Sequence, residues 1–387
     1  MLSQISFKHI PLPEIRFGAG CRDGLVKEVQ RLGKEAALIV TDKGVRAAGL
    51  ADPLAAALDE AGIHFAVFDG VEPNPQVGNV EEGATALRDL GDAVVIALGG
   101  GSALDCGKAV ALAGPNPAMA AGELAFPCNP ERPGQPVIAL PTTAGTGSEN
   151  NMFAMITDPQ QTRKLYVAHR SIIPRSVFLD PELTTGLPRY PTATCGFDVL
   201  THALEAYLSP IANPYTDALA LECIRDVGLY LPRACADGQD LEARSRLLVA
   251  SSNASIAFGQ AGLGAVHGLG HAIGSHLHIA HGQALAAVMP EVLRFNLEAS
   301  LPRLARVAFA LGKGETGRDE AENARAAVTA VTELIDTVGI CQNITDLGGK
   351  PEQVDDWVQD AMSDFVMRTN PRRVTKDDAA ALLMASF

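Results

Sequence analysis

A chain of 387 residues is longer than one hydrophobic core ordinarily fills, so two domains are expected. A formal charge of −14, with 45 acidic against 31 basic side chains and no basic stripe, excludes nucleic acid or an anionic membrane as the main partner. Seven scattered cysteines without a C-x-x-C pair indicate reduced thiols and a cytoplasmic home; no basic leader precedes an apolar core, and no apolar run approaches the ~20 residues that span a bilayer.

From residue 1 to about 187, short β-rich runs alternate with helical patterns. The runs are EAALIVT ending at Thr41, HFAVFD ending at Asp69, AVVIALGGG ending at Gly101 and PVIALPTT ending at Thr143. That alternation predicts an α/β domain, a doubly wound parallel sheet whose ligands bind beyond the carboxyl ends of the strands. The chemistry gathers at those ends. Gly99, Gly100, Gly101 and Ser102 form a turn opening a helix, where backbone amides and the helix dipole suit an anion. Alone, GGGS reads equally well as a tight turn. It is neither G-x-G-x-x-G, since Leu occupies position 104, nor a Walker loop. A second loop, PTTAGTGSE from Pro141 to Glu149, follows another strand, and two phosphate-sized sites on neighbouring strands suggest a dinucleotide. Asp42, at a strand end, suits a ribose diol; its plainer reading is a cap before Lys43 and Gly44.

Gly186, Pro188 and Pro191 punctuate a boundary, giving domains 1–187 and 188–387. Beyond it strands disappear, and alanine- and leucine-rich stretches predict an all-α domain. In FDVLTHALEA, Asp198 and His202 stand four apart, on one face of a helix. His267 and His271 repeat the spacing in VHGLGHAIGSHLHIAHG, and His281 follows in a short HG turn. A lone Asp-x-x-x-His is usually an ordinary helical pair. Two such pairs and a third histidine favour a metal site, with Asp198, His202, His267 and His281 as one carboxylate and three imidazoles suited to iron or zinc. His276 falls on the opposite face, and His278 is an alternative to His281.

The motifs VTDKG, VEPNP with Asn74, GGGSALDCGK, PTTAGTGSE, ITDPQQTRK with Lys164, LDPELTTGLP, FDVLTHALEAY, AGLGAVHGLGHAIG, IAHG and TNPRR occur in this order across nearly the whole chain. The set resembles the iron-containing (group III) alcohol dehydrogenases. The resemblance implies an α/β dinucleotide-binding domain followed by an all-helical metal- and substrate-binding domain, the architecture shared with dehydroquinate synthase, with NAD(P) and metal in the cleft. It makes Asp198, His202, His267 and His281 the ligands of one divalent ion, Fe2+ before Zn2+. Gly100, Gly101 and Ser102 would hold the pyrophosphate, Thr142, Thr143, Thr146 and Ser148 would line the cofactor cleft, and Asn74 and Lys164 match positions near the nicotinamide. His271 matches a histidine near the substrate, and its expected role is catalytic, as a proton relay titrating near ~6.5. A homodimer or larger homo-oligomer is also implied.

Asp42 favours NAD(H) over NADP(H), because a 2′-phosphate would meet its carboxylate, although Lys43 could soften that preference. The expected activity is metal-dependent interconversion of a small primary alcohol or diol and its aldehyde. Rival readings are a zinc-dependent glycerol dehydrogenase-like enzyme, the lyase dehydroquinate synthase, for which the helical half lacks a cationic cluster, and a non-catalytic module binding nucleotide and metal. Asn150, Asn151 and Gln260 depart from the residues common in the family, and Phe153 and Phe258 are candidate pocket walls or core.

Overall fold

The computed structural model describes residues 11–159, 163–341 and 343–387. Its strands are β1 (Glu14–Phe17), β2 (Ala36–Asp42), β3 (His64–Val71), β4 (Ala93–Gly99), β5 (Val137–Pro141), β6 (Phe153–Asp158), β7 (Arg163–Ala168) and β8 (Ser176–Leu179). Six form one parallel sheet in the order β1-β8-β5-β4-β2-β3, while β6 and β7 pair antiparallel apart from it. Between them run α1 (Leu25–Arg31), α2 (Lys43–Ala47), α3 (Asp52–Glu60), α4 (Val77–Leu90) and α5 (Gly101–Ala113).

β4 and β5 are buried along their whole length, and β2 up to Thr41, so near-continuous apolar runs replace the alternation of a one-sided sheet. On one face Ile39, Ile96, Leu98 and Ile138 pack in a core with Leu25, Val29, Leu54 and Leu58. On the other, α5 lies so close that a Cβ on Gly107 would stand 2.7 Å from the Cβ of Ala97. The fold class is the expected one. The four strands read from sequence are all present, although Gly100 and Gly101 lie outside β4 and the threonines of PTT outside β5. Four-residue β1 and β8 are too short to carry a pattern of their own. β6 and β7 fell outside the strand–helix alternation because they form a hairpin, without a crossover helix.

Pro11–Thr143 with Gly147–Gly186 make one compact unit, and Leu187–Phe387 with Ala144–Thr146 belong to another. The second unit contains α6 (Arg189–Leu208), α7 (Pro214–Ala236), α8 (Leu241–Ala261), α9 (Ala265–Leu277), α10 (His281–Asn296), α11 (Leu301–Ala310), α12 (Glu320–Val338), α13 (Val354–Ser363) and α14 (Lys376–Ala385). Pro188 is the N-cap of α6 and Pro191 lies in its first turn, where a missing N–H costs no helical hydrogen bond. From Thr192 to Leu208 α6 is buried almost all round, its Phe197, Leu200, Leu204 and Tyr207 sharing a core with Ile224, Val227, Leu269, Leu285 and Trp357. Asp198, His202 and Glu205 are therefore carried indoors by the apolar residues around them. Among the described residues no helix is long and apolar enough to cross a membrane.

Lys108 of α5 is a buried ammonium in the α/β unit. It donates to the carbonyls of Ser148 (2.8 Å) and Phe153 and to Asn151 Oδ1 (3.2 Å), and pairs with Asp105 at 3.3 Å. Asp105 in turn accepts from Ser148 Oγ and from the Met155 amide, so one ion pair pins the segment after β5. Burial lowers the pKa of Lys108 and Asp105 opposes the shift. Replacing Lys108 by Met should strand these acceptors and lower stability by about 3–5 kcal/mol, read from urea unfolding.

Candidate metal centre and nucleotide site

α6 presents Asp198 and His202 from one face, α9 presents His267 and His271, and His281 is the first residue of α10. The expected HG turn is instead a helix start: the break comes earlier, where His278 takes φ 53° at the end of α9. Three imidazole Nε2 atoms surround one carboxylate oxygen. His202, His267 and His281 lie 3.4, 3.5 and 3.5 Å from Asp198 Oδ1. The donor atoms of Asp198, His267 and His281 all fall within 4.8 Å of one another. Donors each about 2.1 Å from a tetrahedral ion are about 3.4 Å apart, so the three spacings to Oδ1 match those of a first-row divalent cation, while His202 does not join the set of donors that lie within 4.8 Å of one another.

The polar atoms carry the same message. Asp198 Oδ1 and His267 Nε2 are buried without a hydrogen-bond partner among the described residues, as is His202 Nδ1. Side-chain exposure is 5% at Asp198, 6% at His202 and 1% at His267 but 39% at His281, so three of the four side chains are enclosed and the cluster reaches solvent at His281. Burial alone would raise the pKa of Asp198, yet the histidines around it hold it well below the ordinary carboxylate value. Burial pushes His202 down to about 3 against the pull of Asp198. At His267 burial works the same way, but Glu205 and Asp198 outweigh it and lift the pKa to about 9. One carboxylate and three imidazoles fit iron or zinc better than magnesium or calcium.

His271 stands beside this cluster, its ring 5.7 Å from that of His267 and 5.3 Å from that of His281. Its Nδ1 meets Asp364 Oδ2 at 2.7 Å, and Asp364 Oδ1 accepts from the Val366 amide. Burial pushes its pKa down to about 4, well below the ~6.5 of an unperturbed histidine, so the ring is neutral at physiological pH. His276 is exposed and bonded to Asp360, and His278 is exposed. Phe258 stacks on His202 at 4.3 Å, whereas Phe153 is an exposed residue of the other unit. Sequence reasoning missed Glu205 and Asp364. Glu205 left a signal, three residues beyond His202 on the same face of α6; Asp364 left none, because no local spacing ties it to His271.

In the α/β unit the sheet order places β2 between β3 and β4, so the chain reverses direction across the sheet at the β2–β4 border. Such a switch point opens a crevice beyond the strand ends. Gly99 has φ 147°, and a Cβ there would stand 2.7 Å from Ala103 Cβ and 3.4 Å from Asp42 Oδ2. A Cβ on Gly100 would press on Thr143 at 3.3 Å. No side chain caps α5, which leaves the amides of its first turn, opened by Gly101 and Ser102, to an anion. Asp42 caps α2 through Val45 N (2.9 Å) and still reaches Gly99 with its second oxygen.

The Thr142 amide bonds to Gly99 O, so both threonines stand beside the glycine turn. Ser148 is buried with its hydroxyl on Asp105. Thr146 is exposed and belongs to the helical unit, next to Gly145, which packs on Cys195. Asn74 (φ 55°) and Lys164 are exposed neighbours of one ladder: Thr157 bonds Pro75 O and faces Lys164 across β6–β7.

Residues 13–181 match the iron-containing alcohol dehydrogenases, and residues 192–387 match the C-terminal part of the same family. A probable alcohol dehydrogenase of Salmonella typhimurium is 38% identical over 95% of this chain and 92% of its own. The chain belongs to the iron-containing alcohol dehydrogenase family. An NAD-dependent methanol dehydrogenase of Bacillus methanolicus is 35% identical over 93% of this chain and 95% of its own. The crystal structure of a 1,3-propanediol oxidoreductase superposes with a TM-score of 0.91 at 35% identity, covering 99% of this chain and 100% of that one. Membership makes this protein an oxidoreductase, and its parallel-sheet and helical halves are the fold of that family's solved structures.

Two measurements probe the cluster. A cation entering it must displace the Nε2 proton of His267, so zinc affinity should rise about tenfold per pH unit from neutrality toward about 9, and a flat profile would refute that protonation state. A Cβ on Gly282 would lie 1.9 Å from Thr194 O. Gly282→Ala should therefore push the start of α10, with His281, off α6 and lower bound metal measured by equilibrium dialysis.

Proposed function

We propose that this protein interconverts a small primary alcohol or diol and its aldehyde, with Asp198, His202, His267 and His281 holding one divalent ion, iron before zinc. The convergence of three Nε2 atoms on Asp198 Oδ1 carries this reading. When bound, such an ion acts as a Lewis acid toward the alcohol or aldehyde oxygen, and NAD(H) supplies the hydride chemistry. The open side at His281 leaves room for substrate. His271, neutral and fixed through Nδ1 by Asp364, offers Nε2 as the acceptor of the hydroxyl proton and returns it in the reverse direction.

The α/β unit is the cofactor domain in this proposal, and the helical unit binds metal and substrate. Gly99, Gly100, Gly101 and Ser102 receive the pyrophosphate on the uncapped end of α5, with Thr142 and Thr143 beside it. Asp42 takes the ribose diol and disfavours a 2′-phosphate. Asn74 and Lys164 serve the nicotinamide half, Thr146 borders the cofactor, and Ser148 contributes by holding the loop through Asp105. Seven free thiols fit a reducing, cytoplasmic setting, and we assign a homo-oligomeric state of at least two chains.

Anaerobic NADH oxidation in the presence of ferrous iron and a panel of short aldehydes tests the activity; binding of NADH without turnover would indicate a non-catalytic module. His271→Ala should reduce kcat by about a hundredfold or more with metal content retained. Asp42→Gly should erode the preference for NADH over NADPH, and an unchanged preference would remove Asp42 from the ribose site.

A further inference from the structure

The start of α9 is capped from elsewhere in the chain. Its N-cap is Gly264, which has no side chain, yet Gly264 and Val266 donate their amides to Glu205 Oε2 (2.9 Å) and Oε1 (2.7 Å). The Ala265 amide between them bonds Asn370 Oδ1 at 3.2 Å, and Asn370 is itself clamped to Asn296 through both amides. A Cβ on Gly264 would stand 2.9 Å from Glu205 Oε1 and 3.0 Å from Asn370 Oδ1, so the glycine is what admits both groups. Glu205 has one further contact, His267 Nδ1 on its Oε2 at 2.6 Å. Both carboxylate oxygens already accept from backbone N–H groups. Toward the imidazole the carboxylate acts as acceptor, which holds a proton on Nδ1 and leaves Nε2, 3.5 Å from Asp198 Oδ1, as the nitrogen that can ligate a cation.

We propose that Glu205 is the positioning residue of the metal centre, fixing the tautomer and direction of His267 while locking α9 to α6. This inference rests on the metal reading given above. Asp198, His202 and Glu205 recur at spacings of four and three on α6, so one helix face supplies two ligands and the group that aims a third. Asn370 shares the capping of α9 without touching His267, and thereby separates the two tasks of Glu205.

The test compares zinc affinity, by equilibrium dialysis against a competing chelator, for wild type, Glu205→Gln and Asn370→Ala. Loss of the aiming carboxylate should weaken zinc by about 10- to 100-fold. Asn370→Ala should lower thermal stability and leave zinc affinity within a few-fold of wild type. A Glu205→Gln chain that binds zinc like wild type overturns the positioning role and leaves the metal reading standing, and so does equal zinc loss in both variants. Wild type that takes up an equivalent of neither zinc nor ferrous iron overturns both. Independently of whether the variants fold, 15N-histidine spectra of zinc-loaded wild type should show His267 protonated at Nδ1 and ligated through Nε2; the opposite tautomer refutes the inference.

Discussion

A carboxylate buried with three imidazole nitrogens at 3.4 to 3.5 Å around one oxygen is the constraint on which the helical unit depends. Burying an unpaired anion is costly, and imidazoles relieve that by turning a proton toward it, as a protonated ring does best, or by sharing a cation with it. The lifted pKa of His267 and the depressed pKa of Asp198 describe the first solution, and metal binding is the second. Everything near the cluster serves its spacing. α6 brings two donors on one face, α10 starts with His281 because Gly282 lets its backbone touch Thr194, and α9 enters through a glycine whose amide is taken by Glu205.

The α/β unit solves a different problem by similar means. A nucleotide site needs unpaired amides, close backbone approach and a carboxylate beyond the strand ends. In the proposed nucleotide site Gly99 and Gly100 would give the approach, the uncapped start of α5 the amides, and β2 the Asp42 carboxylate beside them at the switch point. The buried Lys108–Asp105 pair holds Ser148, Asn151, Phe153 and Met155, while Thr142 is kept at the glycine turn by its own amide on Gly99 O.

Local pattern carried much of this arrangement and long-range contact the rest. The four long strands were legible because burial on both faces makes them continuous apolar runs, and the i, i+4 pairs were legible because a helix repeats its face every 3.6 residues. β1 and β8 were not, since four residues carry too little periodicity. His281 was placed near the right point but in the wrong element: the αL residue His278, not a turn at Gly282, separates α9 from α10. Asp42 is the cap that its plainer reading expected, and it also lies beside Gly99, where the proposed ribose role would need it. Asp364 and Asn370 act across about 90 and 100 residues of sequence, a distance over which no spacing rule operates.

In the proposed metal centre one divalent ion sits among Asp198, His202, His267 and His281. Anomalous diffraction from crystals grown anaerobically with ferrous iron, recorded on both sides of the iron absorption edge, tests it most directly. A single strong peak per chain is expected, ligated by Asp198 Oδ1 and by Nε2 of His202, His267 and His281, with His271 outside the coordination sphere. A peak bound through His271 or His278 in place of His281, or none at the cluster in iron-replete crystals, would contradict it.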